Sequence, residues 1–354
     1  MSCRRRNTRV CHTFPLPPNR NSKHGLTAAW RRRGPLACLL LPAAVLFLFA
    51  AALRRGLYRT GLWAVKDVSV PVVVVGNITV GGAGKTPLTL WLARTLALRG
   101  RSPAIVSRGY GRQRASDAVL EVLPDSDAAD VGDEPLLLRR RAGCPVFVGR
   151  DRVAAAQALL AAHPECDLIL CDDGLQHYRL GRQVEIAVLD QRGLMNAWPL
   201  PSGPLREPTS RLNSVDALVL NGLGAWPEAT VPVFPMRLTG QRFVRLGDPA
   251  SIRDAGELQG LRLHAVAGIG DPQRFFDYLS ALGLCFESHA FPDHHVYQSG
   301  ELDFVGDAIL TTEKDAVKFA PPPTLPVWVL PVDAELDAGL ATLVLEKLNG
   351  RPPA

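Results

Sequence analysis

The stretch Val72-Val-Val-Val-Gly76-Asn-Ile-Thr-Val-Gly81-Gly82-Ala-Gly84-Lys85-Thr86-Pro87 decides the fold class of this chain. An apolar run of β-branched residues is followed by a glycine-rich turn, a Gly-Lys-Thr triplet and a helical pattern. This order of strand, loop and helix is typical of a nucleoside triphosphate site. Glycines let backbone N–H groups approach the phosphates, and the helix start adds partial positive charge. The pattern predicts an α/β protein with a P-loop NTPase-like α/β/α lobe.

The individual residues of this loop have distinct predicted roles. Lys85 can reach the β- and γ-phosphates, and the Thr86 hydroxyl can bind Mg²⁺. The strict pattern has its first glycine where this chain has Thr79, so we interpret the loop as a variant, with an accidental Lys-Thr as the alternative. The predicted ATP-binding residues are Thr79, Val80, Gly81, Gly82, Ala83, Gly84, Lys85 and Thr86.

Charge is distributed unevenly along the 354 residues. Residues 1–60 contain twelve Arg or Lys and no acid, whereas residues 61–354 contain 28 basic and 34 acidic residues. This distribution argues against a nucleic-acid-binding body and indicates contact with anionic lipid near the N-terminus. The seven cysteines form no C-x-x-C pair, which is typical of reduced thiols in a core.

Residues 26–62 are predicted to form a membrane-associated helix. Residues 36–53 are uncharged and almost wholly apolar, with arginines on both sides. This length is at the lower edge of a membrane span, and Pro42 is expected to kink the helix. A buried core helix and a signal peptide are the alternatives. Residues 1–25 are basic and proline-rich, and we expect them to be disordered or to be an extension from a misassigned start codon.

Further motifs lie where strands are expected to end. A basic, glycine-rich turn, Arg108-Gly-Tyr110-Gly-Arg112, follows one strand, at the kind of end where open α/β sheets bind ligands, although a plain surface turn is the alternative. Asp133 and Glu134 open a helix, a place where acids are commonly caps. Asp172 and Asp173 end an apolar strand, and two adjacent carboxylates there require a cation or hydrogen-bond donors.

A smaller α/β lobe is predicted over residues 225–354, after a P-loop kinase lobe at 63–224. Its expected strands and helices are 231–238, 263–268, 271–282, 285–290, 307–312, 326–331 and 337–348. The segment Phe291-Pro-Asp-His294-His295-Val-Tyr297 concentrates titratable groups in a turn, although a surface loop is the alternative. Adjacent histidines point apart, which argues against zinc at this pair.

Taken together, the motifs resemble those of one enzyme family. GNITVGGAGKTP, SRGYGR, GDEP, VGRDR, CDDGLQH, PSGPLREP, FPDHHVY and LTTEKDA follow one another as in the tetraacyldisaccharide 4′-kinases, the lipid A 4′-kinases of Gram-negative bacteria. The resemblance extends from about residue 30 to the C-terminus. It implies transfer of the γ-phosphate of ATP to the 4′-hydroxyl of tetraacyldisaccharide 1-phosphate, giving lipid IVA, with Mg²⁺ as cofactor. It also implies two lobes with a cleft between them.

The resemblance implies partners and a location as well. The expected partners are an acylated glucosamine disaccharide 1-phosphate and membrane lipid, with no nucleic acid and no evident protein partner. The N-terminal helix is expected to dock on the cytoplasmic face of the inner membrane, where this substrate resides. Two alternatives remain from the residues alone. One is a P-loop GTPase or metallochaperone-like switch, although no N-K-x-D motif for guanine occurs; the other is a membrane-anchored nucleotide-binding scaffold.

Roles of individual residues follow from the same resemblance. Asp133 is the expected base at the sugar hydroxyl, oriented or tuned by His294 from the second lobe, and Lys85 completes the catalytic group. The expected metal-site residues are Thr86, Glu134, Asp172 and Asp173. The residues expected to hold the disaccharide and its 1-phosphate are Tyr110, Arg150, Arg152, Gln176, His177 and Arg206; guanidinium groups suit phosphate geometry.

Overall fold

A computed structural model describes residues 30–112, 118–222 and 229–350 of the chain. The segment 1–25, with its predicted disorder, lies outside the described residues. Within the described residues there are two compact units: residues 240–331 form one, and residues 30–239 together with 332–350 form the other. We call the unit with 30–239 the first unit and 240–331 the second unit.

Helices and strands alternate through most of the described chain. In chain order they are α1 (Pro35–Leu39), α2 (Leu41–Arg59), β1 (Val72–Gly76), α3 (Lys85–Leu98), β2 (Pro103–Ser107), β3 (Leu120–Glu121), α4 (Ala128–Val131), α5 (Asp133–Ala142), β4 (Val146–Val148), α6 (Arg152–Ala162), β5 (Leu168–Asp172), β6 (Val184–Asp190), a 3₁₀ helix (Thr209–Ser214), β7 (Ala217–Asn221), β8 (Val233–Thr239), β9 (Arg242–Arg245), β10 (Asp248–Asp254), α7 (Ala255–Leu258), β11 (Leu263–Ala267), α8 (Pro272–Ala281), β12 (Phe286–Ala290), β13 (Ala308–Thr312), α9 (Glu313–Ala316), β14 (Val327–Leu330), β15 (Asp333–Leu336) and α10 (Gly339–Asn349).

The first unit is built on a sheet whose nine strands, among the described residues, have the order β15-β8-β7-β6-β1-β5-β2-β4-β3. All five residues of β1 are buried, and this strand pairs in parallel with β5 on one side and β6 on the other. Val75 lies opposite Asp172, so the loop after β1 and the acids after β5 emerge at the same edge of the sheet. This is the edge where open α/β sheets bind ligands.

The boundary between the units differs from the one placed near residue 225 by sequence. Strand β8 continues the first sheet by pairing with β7, and β15 pairs antiparallel to β8 with Asp333 opposite Thr239. Helix α10 returns to the first unit too, since Arg99 at the end of α3 donates hydrogen bonds to Ala338 O (3.1 Å) and Thr342 Oγ1 (2.8 Å). Strand pairing across more than 90 residues has no local sequence signal.

The second unit has its own sheet, whose six strands among residues 240–331 have the order β10-β9-β14-β13-β11-β12. Four of them, β11 to β14, are parallel to one another, while β14 pairs antiparallel with β9 on its other side; α8 packs Phe275, Phe276 and Leu279 against one face. Strands β9 and β10 form an antiparallel pair that the sequence did not predict. The predicted fold class, a P-loop-like α/β lobe with a second α/β lobe, is confirmed.

The N-terminal apolar segment forms two consecutive helices, α1 and α2, separated at Leu40 and with Pro42 in the first turn of α2. By length and composition alone, helix α2 could cross a membrane, and only 6% of its most apolar 18-residue stretch is buried. Hydrogen bonds join the two ends of this N-terminal segment to the rest of the first unit. Before α1, Trp30 Nε1 donates to Pro201 O (2.9 Å), and within α2, Arg55 donates to Ser214 Oγ (3.0 Å). The exposed large apolar side chains of this region include Leu36, Leu39, Val45, Leu46, Phe49 and Leu53.

Candidate nucleotide and phosphate site

The glycine-rich loop after β1 takes a backbone shape that needs glycine at two positions. Gly81 and Gly84 have φ values of 105° and 96°, in the left-handed region that other residues rarely adopt. A Cβ on Gly84 would lie 2.5 Å from Asn221 Nδ2, and that amide donates a hydrogen bond to Ala83 O (3.0 Å). Gly84 also precedes α3 directly, so the loop brings backbone N–H groups to a helix start.

Two further side chains of the first unit, Asn77 and Arg192, hold the carbonyl groups of this loop. The buried Asn77 donates from Nδ2 to Gly81 O (3.2 Å), and Arg192 donates from Nη2 to Gly82 O (3.0 Å). Arg192 is itself held by Asp190 Oδ2, which lies 2.8 Å from its Nε. The carbonyl groups of the loop are therefore tied to the protein, which is the orientation that an anion-binding loop requires.

The proline-rich segment that contains Arg206 runs beside the glycine-rich loop. Val80 N donates to Pro204 O (2.9 Å), and Arg206 N donates to Ile78 O (2.7 Å), with Leu205 bridged to Thr79 between them. This backbone pairing carries the Arg206 side chain to the predicted phosphate site.

Lys85, Asp173 and Arg206 form an ion-pair network at the carboxyl end of β5. Lys85 Nζ lies 3.5 Å from Asp173 Oδ1 and 3.5 Å from Asn77 Oδ1, and Arg206 Nη1 lies 3.3 Å from each Asp173 oxygen. Burial alone would raise the pKa of Asp173, but the charges of Lys85 and Arg206 outweigh it and lower this pKa. Asp173 is therefore an anion held between two cations.

Asp172 is in a different electrostatic situation although it is the adjacent residue. Its carboxyl group is buried, and its Oδ1 accepts a hydrogen bond from Thr89 Oγ1 (3.2 Å). Burial, together with the charges of Glu134 and Asp173, raises the pKa of Asp172 to about 7, against the opposing effect of Lys85. Three carboxyl groups therefore share a region where one of them is partly protonated at neutral pH, and a divalent cation would offset the repulsion among them.

The start of α5 brings Asp133 and Glu134 to this region. Asp133 is buried, and its Oδ1 accepts a hydrogen bond from Glu134 N (2.9 Å), which fixes the side chain at the helix start. Gly132, with φ 93°, is in close contact with the turn after β2, because a Cβ there would lie 2.8 Å from Tyr110 O. Tyr110 itself is an exposed residue.

A cluster of arginines lies next to the acids, and its centre is Arg152. This side chain is 4% exposed; it donates to Arg150 O (3.3 Å) and Asp173 O (3.4 Å), and its Nε has no hydrogen-bond partner among the described residues. Burial, followed by the charges of Arg152 and Arg150, lowers the pKa of Arg108. A cluster of guanidinium groups requires anions to balance its positive charge, and Asp173 supplies one negative charge.

Arg108 was not among the residues predicted for the site. The sequence offered one signal for it, a basic residue at the end of β2, which a plain surface turn would explain equally well.

Gln176 and His177 follow Asp173 in the same loop. Gln176 donates to Asn77 O (3.0 Å) and Glu207 Oε2 (2.9 Å), and it accepts from Arg206 (3.4 Å), so it positions Arg206. Burial, and then the charge of Arg152, lowers the pKa of His177 to about 4, and its Nε2 has no hydrogen-bond partner among the described residues. His177 is a neutral imidazole beside the arginine cluster.

The predicted residue His294 lies in the second unit, in the loop after β12, whereas the other predicted site residues lie in the first unit. It adopts a φ of 59°, and its Nε2 lies 3.5 Å from Lys314 Nζ and 3.7 Å from Asp293 Oδ2. The first unit thus brings together Lys85, the acids, Gln176 and the arginines within one network, as expected for strand ends at one sheet edge.

Comparison with known proteins gives a consistent set of relatives. The family model described as tetraacyldisaccharide-1-P 4′-kinase matches residues 36–349. Proteins named tetraacyldisaccharide 4′-kinase from Azoarcus sp. (strain BH72) and Dechloromonas aromatica (strain RCB) are 53% and 54% identical, each match covering 92% of this chain and 96% of the relative. A crystal structure of LpxK from Aquifex aeolicus in complex with ATP matches with a TM-score of 0.77 and 30% identity, covering 88% of this chain and 99% of that one.

Proposed function

This chain belongs to the tetraacyldisaccharide-1-phosphate 4′-kinase family, and from that premise we propose how its residues perform the reaction. It is an ATP-dependent kinase of lipid A biosynthesis that phosphorylates the 4′ position of tetraacyldisaccharide 1-phosphate, giving lipid IVA. The residue assignment rests on one observation: beside the glycine-rich loop, the side chains of Lys85, Asp172, Asp173 and Arg206 lie close together.

The loop from Thr79 to Thr86 binds the phosphates of ATP in this proposal. Lys85 now neutralises Asp173 at 3.5 Å, and a bound phosphate would offer the same ammonium group a stronger anion. The left-handed glycines and the side chains that hold the loop carbonyls support this role, because they preorganise the backbone before the nucleotide arrives.

Thr86, Glu134, Asp172 and Asp173 would hold Mg²⁺, alone or through its water shell. The residues fit this ion: they offer hard oxygen ligands, and burial, followed by the charges of Glu134 and Asp173, raises the pKa of Asp172, so a divalent cation there would relieve the repulsion among the carboxylates. When bound, Mg²⁺ neutralises charge on the phosphoryl oxygens.

Asp133 is the proposed base that accepts the proton of the 4′-hydroxyl. Its position at the start of α5, with one oxygen fixed by Glu134 N at 2.9 Å, supports a preset orientation. His294 is proposed to orient or tune this base, on the strength of the family resemblance and of its constrained backbone.

The arginine cluster is the proposed site for the acceptor's 1-phosphate. Arg108, Arg150, Arg152 and Arg206 supply guanidinium groups, and the buried Nε of Arg152 supports this role because it lacks a hydrogen-bond partner among the described residues. The neutral His177 and the exposed Tyr110 ring complete the proposed contacts with the disaccharide.

The catalytic assignment is tested by transfer of a radiolabelled γ-phosphate to tetraacyldisaccharide 1-phosphate. Asp133→Asn should bind ATP within about twofold of wild type, because the side chain lies outside the loop, but should lower turnover by roughly 10²–10⁴-fold. His294→Ala should lower turnover with unchanged ATP affinity. Wild-type turnover in Asp133→Asn would remove this residue from the mechanism, and a preference for GTP over ATP would contradict the kinase assignment of the loop.

The proposed location is the cytoplasmic face of the inner membrane, with α1 and α2 inserted in the lipid. Exposed apolar side chains along both helices support this, and so do the flanking arginines, which suit anionic headgroups.

Leu46→Asp with Phe49→Asp should abolish flotation with vesicles of anionic phospholipid. Leu98→Asp is the matched control, because Leu98 is an 89% exposed apolar residue on α3, and it should float as wild type does. Equal flotation of both variants would overturn the assignment.

A further inference from the structure

Three side chains on adjacent strands of the second unit point to a site that the kinase reaction does not use. His264 lies on β11, and Glu287 and His289 lie on β12, the edge strand of the sheet. His264 is opposite Glu287 in the register, and residues two apart share a face of a strand. One nitrogen or oxygen from each of the three side chains falls within 4.8 Å of the others.

The distances between these atoms match those around a small metal ion. His264 Nδ1 lies 3.0 Å from His289 Nε2 and 3.6 Å from Glu287 Oε2. In a tetrahedral zinc site with bonds of about 2.0–2.1 Å, ligand atoms are separated by about 3.3 Å, which falls between these two values. The cluster therefore needs little rearrangement to bind such an ion.

The surroundings of His264 orient it as metal-binding histidines are usually oriented. Its Nε2 lies 3.4 Å from Val305 O, and donation there leaves the lone pair on Nδ1, the atom that faces Glu287 and His289. The Phe304 ring stacks on both imidazoles, with centroid distances of 4.7 Å and 4.1 Å. A Cβ on Gly306 would lie 2.8 Å from His264 Nε2, so the 304–306 segment is fitted closely to this ring.

We propose that His264, Glu287 and His289 bind one divalent transition-metal ion of the zinc type. Two imidazoles and one carboxylate suit Zn²⁺ and Co²⁺, whereas Mg²⁺ prefers a full set of oxygen ligands. Glu287, with its side chain 58% exposed, gives the ion a path from solvent and leaves a coordination position for water. The ion would tie the edge strand β12 to β11, and the loop that contains His294 follows β12 directly.

Cobalt titration of the full chain tests this proposal. Wild type is stripped with EDTA, transferred to millimolar MgCl₂ without ATP, and titrated with CoCl₂. One Co²⁺ per chain should bind with the intense visible bands of a four-coordinate ion, and ZnCl₂ should displace it. His264→Asn with His289→Asn should weaken Co²⁺ binding by roughly 100-fold or more, because losing even a residue that only orients a ligand costs about 10–100-fold, and this variant removes two ligands. Zn²⁺ should raise the midpoint of thermal unfolding in wild type but not in this variant.

Two further variants separate metal binding from effects on folding. Glu287→Gln alters an exposed side chain, so it should fold as wild type and weaken Co²⁺ by about 10-fold. His163→Asn is the matched control, because His163 also lies between carboxylates, 2.9 Å from Glu121 and 3.2 Å from Glu165, in the first unit. Its Co²⁺ affinity should equal that of wild type. Equal affinity in all variants, or no Co²⁺ binding at micromolar concentrations by wild type, would show instead that His264 and His289 share only a hydrogen bond.

Discussion

Asp172 and Asp173 illustrate how much the environment of a single residue changes its chemistry. The two carboxyl groups are adjacent in sequence, yet the pKa of Asp173 is lowered by Lys85 and Arg206 after burial is overcome, while that of Asp172 is raised to about 7. The difference arises because Asp172 points into the sheet edge towards Thr89, whereas Asp173 meets two cations. At neutral pH a cationic ligand thus finds one fully formed anion, Asp173, and a second carboxyl group, Asp172, that is about half ionised.

Asp172→Asn should stabilise the metal-free protein increasingly as pH rises. The folded pKa of Asp172 exceeds that of the unfolded chain, so its favourable contribution is complete in acid and is lost as pH rises through about 7. The variant avoids this loss, so its advantage in unfolding free energy should grow from about pH 4 to about pH 7 and then level off at roughly 4 kcal/mol at most, at about 1.4 kcal/mol per pKa unit. Thermal unfolding in EDTA measures it. A difference that does not vary with pH would contradict the assigned environment of Asp172.

Arg108→Ala should raise the KM for tetraacyldisaccharide 1-phosphate by roughly 10- to 100-fold, because a charge-assisted phosphate contact contributes about 1.5–3 kcal/mol. The KM for ATP should not change. An acceptor without the 1-phosphate should show no difference between variant and wild type, which isolates the phosphate contact. Arg242→Ala, at a guanidinium 73% exposed in the second unit, is the control and should leave both KM values unchanged. An equal loss with both acceptors would place Arg108 elsewhere in the mechanism.

Sequence could predict the residues whose role is encoded by their immediate neighbours. Lys85 and Thr86 are recognisable because glycines, a strand and a helix surround them within a dozen positions. Sequence could not predict the role of Arg192 and Asn221, which donate hydrogen bonds to the loop carbonyls. They follow or end strands β6 and β7, far from the loop in sequence, and only the assembly of the sheet brings them to it.

At the scale of elements, the connection from β1 to α3 depends on close backbone approach at one glycine. Gly84→Ala should lower stability by about 2 kcal/mol or more, since alanine is strained at φ 96° and its Cβ would meet Asn221 at 2.5 Å. ATP affinity should fall with it. Gly82→Ala is the matched control for stability, because nothing lies within 4 Å of a Cβ there, and it should unfold at the wild-type temperature. Thermal unfolding and ATP titration measure both effects; equal unfolding temperatures would show that the loop adapts.

Two of the strands that sequence did not predict, β10 and β15, have few buried residues. Strand β1 is buried along its length and its sequence is a continuous apolar run, which is why the sequence predicted it as a strand. Strand β10, Asp248–Asp254, has no buried position, and β15 has a single buried residue, Ala334, so their sequences resemble those of loops. Their pairing supplies the structure instead: β15 is added to β8 at the edge of the first sheet.

At the scale of the whole molecule, the second unit is an insertion into the first. The chain leaves the first sheet after β8 and returns to it in β15, so residues 240–331 are contributed between two strands that already pair with each other. Thr239 and Asp333 are Cα partners in that antiparallel pair, which places the exit and the return of the chain side by side. This arrangement lets each unit keep its own core, and it separates His294 from the other proposed catalytic residues along the chain.

Replacing residues 240–332 by Asn-Gly should therefore leave a folded nucleotide-binding unit without kinase activity. A two-residue turn of this type joins directly opposed antiparallel residues without disturbing their register. The nine-stranded sheet should persist by circular dichroism, and ATP should bind within about threefold of wild type, because the described contacts of the glycine-rich loop all lie in the first unit. Phosphate transfer to the lipid should be lost with His294. An unfolded product would show that the first unit depends on the insertion, and retained transfer would remove the second unit, His294 included, from catalysis.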